Sequence, residues 1–113
     1  MFSRAWRIQI DKSRLRQRRR TPRVWTASDR PRIPPGLRLQ WEEAQQSHVL
    51  LYPEGMVKLN ASAGAILARC DGVRTVADII GDLERSYGAT DLGHDVGSFI
   101  ALALEKRWLE LAP

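Results

Sequence analysis

The chain has 113 residues, enough for one small domain, and its formal charge of +5 is unevenly divided. Residues 1–36 carry 11 Lys and Arg against 2 Asp and Glu, whereas residues 37–113 carry 7 against 11, so the basic pI of about 10.1 describes the N-terminal third. A single cysteine, Cys70, excludes an internal disulfide framework, and no apolar run nears the roughly 20 residues of a bilayer-spanning helix, so a cytoplasmic protein without membrane association is expected.

Residues 1–36 interleave arginine with Trp6 and Trp25, reach RLRQRRR at Arg14–Arg20, and finish in RPRIPPG, which holds three of the six prolines. This is the composition of a disordered, basic, proline-containing arm. Lys and Arg neutralise phosphates and an indole stacks on bases, so nucleic acid or an anionic membrane would suit it. The plainer reading, a solvated extension or a chain begun at an upstream start codon, needs no partner.

The strand signals begin at Leu37, where Leu37, Leu39 and Trp41 alternate with Arg38 and Gln40. The polar EEAQQ follows as a connection. His48–Tyr52 and Met56–Leu59 read as the second and third strands, joined at Pro53-Glu54-Gly55. There proline presets φ and glycine tolerates φ > 0, which predicts a three-residue hairpin loop and a three-stranded antiparallel meander.

Asn60 then caps a helix whose residues Ala63, Ile66, Leu67 and Cys70 share one face and which Asp71-Gly72 ends. Thr75 and Asp78 have capping-box spacing, and Val76, Ile79, Ile80, Leu83 and Tyr87 form an apolar stripe up to Gly88. Thr90 or Asp91 can cap a third helix, in which Leu92, Val96, Phe99, Ile100, Ala103 and Leu104 recur at spacings of three and four. It closes near Lys106-Arg107, basic residues suited to a helix C-terminus, and the alternating WLEL beyond reads as a short strand or a tail. Residues 37–113 are thus expected to form an α+β domain, a three-stranded antiparallel sheet followed by three helices.

Catalytic chemistry is not visible. There is no glycine-rich phosphate loop, HExxH helix or Gly-x-Ser-x-Gly elbow, and His48 and His94 fall in different elements without an orienting carboxylate or cysteine. The expectation is a protein that is not an enzyme and holds no metal or cofactor. Cys70 ends an apolar helix face and reads as a small buried hydrophobe. The helices flanking CDGVRT could instead form a DNA-binding helix-turn-helix, but the recognition helix would expose Asp78, Asp82 and Glu84 against Arg85 alone, which phosphates would repel.

LLYPEGMVKLN, GAILARCDGVRTVADII and the ending DVGSFIALALEKRWLEL together resemble the PqqD family, the peptide chaperones of pyrroloquinoline quinone (PQQ) biosynthesis. The resemblance runs from about Leu37 to Leu111; its most specific parts are Pro53-Glu54-Gly55, Leu59-Asn60, Cys70-Asp71-Gly72 and Arg74-Thr75. It implies a winged helix-turn-helix-like domain, a RiPP recognition element, that binds the ribosomal precursor peptide PqqA and presents it to the radical S-adenosylmethionine (SAM) enzyme PqqE. Related domains serve other peptide-modifying pathways, so another ribosomally made peptide is the alternative substrate. An iron–sulfur enzyme needs several cysteine ligands, and with Cys70 alone this chain would act through such a partner.

In such domains the peptide adds as a strand beside the third strand, over the third helix. Transferred to this sequence, that names Met56, Val57, Lys58 and Leu59 as the edge, Phe99 with Val96 and Ala103 as an apolar floor, and Asp95, Ser98 and Leu102 as the rim. The competing reading is that Phe99, Val96 and Ala103 are core and that Lys58 only guards the edge against aggregation. A monomer is expected, with a free edge that also permits a homodimer or element swapping.

Overall fold

In the computed structural model residues 25–113 are described, and they form β1 (Pro31–Arg32), β2 (Arg38–Glu42), β3 (Ser47–Tyr52), β4 (Gly55–Lys58), α1 (Ala61–Ala68), α2 (Val76–Tyr87), α3 (Gly93–Glu105) and β5 (Glu110–Leu111). Strands β2, β3 and β4 make an antiparallel sheet in that order, followed by the three helices, as the sequence predicts. Trp41 pairs with His48, Leu50 with Val57 and Tyr52 with Gly55. Because Tyr52 and Gly55 are paired, the hairpin turn is Pro53-Glu54 alone, one residue shorter than expected. Gly55 belongs to the strand and has no positive φ.

The helix starts follow local chemistry. Asn60 Oδ1 accepts from the Ala63 N–H at 2.8 Å, and the Thr75–Asp78 capping box is complete, with both bonds at 3.1 Å. Gly88, at φ 60°, ends α2. Elsewhere the sequence misleads. Helix α1 stops at Ala68, and Arg69 rather than Gly72 takes its C-cap position. Neither Thr90 nor Asp91 caps α3, because Asp91 lies at φ 60° and the Leu92 N–H is instead accepted by Glu84 Oε2 of α2 at 3.0 Å.

The expected arm of residues 1–36 is too long. Residues 1–24 lie outside the described residues, but residues 25–36 are part of the fold. Strand β1 pairs with β5, so WLEL does supply a strand, and Arg32 Nε meets Glu110 Oε2 at 2.7 Å. The Asp29 and Ala27 carbonyls accept from the Val76 and Ala77 N–H groups at 2.9 and 3.0 Å. With the capping box, these bonds satisfy the first three orphan donors of α2. Trp25 donates its indole N–H to the Gly97 carbonyl of α3 at 3.1 Å, and its ring fills the place a side chain at Gly97 would need.

One core joins sheet and helices through Leu50, Leu59, Ile66, Leu67, Val76, Ile79, Leu83, Val96, Phe99 and Ile100. Cys70 is buried in it, and desolvation together with the neighbouring Asp71 charge pushes its thiol up to about 12. The thiol is therefore protonated at neutral pH, and it donates to the Ile66 carbonyl at 3.2 Å.

Candidate functional site

Strand β4 closes one side of the sheet, and among the described residues no strand pairs with its outer side. The direction of its backbone groups follows from one bond. The Leu59 N–H donates to the His48 carbonyl at 3.0 Å, which makes His48 and Leu59 a hydrogen-bonded pair. Such pairs alternate along an antiparallel ladder, so Val57 exchanges bonds with Leu50, while Met56 and Lys58 turn their N–H and C=O groups outward. The side chains of Met56 and Lys58 are exposed, whereas Val57 packs against the core on the other face of the sheet.

On that inner face, between the β3–β4 turn and the end of α3, lies an open cleft of about 580 Å³. Its walls are Leu37, Tyr52, Pro53, Glu54, Val57, Lys106, Arg107 and Trp108. Trp108 reaches this place through the way α3 ends. Lys106 is the C-cap, Arg107 sits at φ 64°, and the N–H groups of Arg107 and Trp108 donate to the carbonyls of Leu104 (3.2 Å) and Ala103 (2.8 Å). This is a Schellman motif with arginine at the position glycine usually takes. The Trp108 ring centroid is 6.4 Å from that of Phe99, and the Lys106 ammonium stands 5.7 Å from the indole centroid.

The candidate site residues are therefore distributed unequally. Met56, Val57 and Lys58 form the edge, and Leu59 is buried behind it at 5% exposure. Val96, Phe99 and Ala103 are core residues at 0%, 2% and 0% exposure, and Leu102 is nearly as buried. Asp95 and Ser98 are half-buried. None of the six α3 residues named from the sequence lines the cleft; Val57 does, with Lys106, Arg107 and Trp108 opposite. The sequence signal that could have found Trp108 was an indole just beyond an apolar helix.

A second cleft, of about 300 Å³, lies between Trp41 and His48 of the sheet and the Ala61, Ala65 and Tyr87 side of the helices. His48 meets Trp41 edge to face, with centroids 5.0 Å apart, and crowds Gly64, so it has a packing role. Among the described residues no group of three or more His, Cys, Asp or Glu converges as a metal site would require, and no helix is long and apolar enough to cross a membrane.

Residues 47–109 match the family model for coenzyme PQQ synthesis protein D (PqqD). The chain is 52% identical over 77 residues to a PqqA binding protein of Stutzerimonas stutzeri, covering 67% of this chain and 84% of the relative. With a PqqA binding protein of Azotobacter vinelandii the identity is 49% over 87 residues, 76% of this chain and 95% of the relative. Among solved structures, the chain is similar to the PqqD truncation of Methylobacterium extorquens PqqCD, determined in solution by NMR and described as a functional, stand-alone RiPP recognition element. The TM-score is 0.66 at 38% identity, over 77% of this chain and 95% of that one.

Proposed function

The chain belongs to the PqqD family, and on that premise we propose that it is the recognition element that binds the precursor peptide PqqA in PQQ biosynthesis and presents it to the radical SAM enzyme PqqE. The observation that carries this reading is the outer side of β4, where Met56 and Lys58 hold main-chain groups toward solvent. An extended peptide satisfies such groups by pairing as a fourth strand, at little cost in sequence, while pockets beside the strand select its side chains. In this arrangement Met56, Val57 and Lys58 form the contact strand and Asp95, Ser98 and Leu102 border it. Leu59, Val96, Phe99 and Ala103 act from behind as the packed support that holds strand and helix in place.

Titration of the protein with synthetic PqqA, followed by calorimetry with and without PqqE, tests the proposal. Binding of peptide in the absence of enzyme, and a ternary complex when enzyme is added, are the expected results. Enzyme binding without peptide binding would make the chain a structural subunit, and preference for a different modified-peptide precursor would move it to another pathway. A duplex-DNA titration should give no complex at physiological salt.

A further inference from the structure

We propose that the cleft beneath the β3–β4 turn is an anchoring subsite for the strand-added peptide, taking one apolar side chain against Tyr52, Val57 and Trp108 and a neighbouring carboxylate at Lys106 and Arg107. The inference rests on strand addition to β4 and names what the peptide must offer. Alternation supplies the first step. A peptide strand beside β4 places the residue opposite Val57 on the same sheet face as Val57, and that face opens into the cleft. Because Met56 and Lys58 make the outward bonds, the residue opposite Val57 occupies a non-hydrogen-bonded position in an antiparallel pairing, where side chains approach most closely.

The cleft has ample room for such an anchor. Its volume of about 580 Å³ lies within the roughly 300–1,000 Å³ of small-ligand pockets. Leu37, Tyr52, Val57 and Trp108 supply apolar walls, and the mouth carries two cations, Lys106 and Arg107, against one carboxylate, Glu54. The excess of positive charge favours an acidic residue next to the anchor. The placement of Arg107 adds to the case. Helix α2 ends with Gly88 at φ 60°, whereas α3 ends with Arg107 in the same left-handed region at φ 64°. Glycine would fit the backbone better there, so the fold carries a side chain at its own expense where that side chain lines the cleft.

Arg107→Gly separates the two roles, since it should hold or raise the melting temperature while weakening peptide binding. Synthetic PqqA is titrated into the full chain and into Arg107→Gly, Lys106→Gln, the double variant and Lys58→Pro, at low and at physiological salt. Each cation variant should lose roughly two- to fivefold in affinity at low salt, and the double variant should respond less to added salt than the parent. Changing the peptide's acidic residues to amides one at a time should reveal one whose removal makes Arg107→Gly silent. If both cation variants bind like the parent while Lys58→Pro loses binding, the subsite is wrong and strand addition stands. If the parent itself does not bind PqqA, both fall.

Discussion

Exchanging Val57 or Lys58 for proline puts the β4 reading at most risk, because the two neighbours should fail in opposite ways. The Lys58 N–H points away from β3, so Lys58→Pro removes a donor that no described strand uses, and the extended backbone of Val57 suits the residue before a proline. The fold should keep its melting temperature within a few degrees. Bound peptide would lose one main-chain bond and leave a carbonyl facing the proline ring, which costs about 1–3 kcal/mol, or roughly 5- to 150-fold in affinity. Val57 instead donates toward Leu50, which is fully buried, so Val57→Pro strands a buried carbonyl and costs about 1–3 kcal/mol of stability. For a domain of this size each kcal/mol lowers the melting temperature by roughly 4–8 °C. Thermal denaturation and calorimetric titration on the same samples read both effects, and Lys58→Ala separates loss of the ammonium from loss of the amide. Parent-like affinity in a folded Lys58→Pro would refute pairing at this edge.

The N-terminal boundary is checked by two deletions. Removing residues 1–30 should melt lower than removing 1–24, because it takes away the Trp25 bond to Gly97 and the Ala27 and Asp29 carbonyls that serve α2. The Cys70 thiol, with its pKa raised to about 12, should resist alkylation at pH 8 in the native protein and react on unfolding, as mass spectrometry would show. Asp71, held by the Arg74 and Val73 amides, Asp78 by the Thr75 amide and hydroxyl, and Asp82 by the Arg69 guanidinium all have pKa values below the usual carboxylate range. Their contribution to stability is present above the unfolded value of about 4 and lost as pH falls through the folded values. Denaturant midpoints should therefore drop below pH 4, and Asp78→Asn should flatten that dependence.

What the sequence discloses is what neighbouring residues decide. The Asn60 cap, the Thr75–Asp78 box, the glycine end of α2 and the alternation of β2 to β4 each need only a few adjacent positions. The missed features depend on distant partners. The Leu92 cap comes from Glu84 on another helix, and β1 has only two residues, too short for any periodicity. Residues 25–36 contribute backbone carbonyls, the Trp25 indole, the buried Pro31 and the core contact of Ile33, scattered features that proline and arginine composition does not reveal. The edge position of β4 was legible from its hairpin, but the cleft beside it was not. A helical stripe containing Phe99 identifies a buried face without saying what covers it. Trp108 lies next to it only because the chain reverses at Arg107.

The magnitudes assign different tasks to edge and cleft. Met56 and Lys58 offer two outward N–H and two outward C=O groups, so pairing at β4 provides at most four main-chain bonds. At about 0.5–1.5 kcal/mol each, they contribute roughly 2–6 kcal/mol, while association alone costs about 4–15 kcal/mol. A micromolar complex requires about −8 kcal/mol net. The edge by itself therefore cannot hold a peptide, whatever its sequence, in a strand of only four residues. Affinity has to come from side chains that leave water. The Val57 face is where a paired strand would deliver them, against Tyr52 and Trp108. On the proposed division the strand would set the register of the peptide, and the cleft would decide which peptide stays.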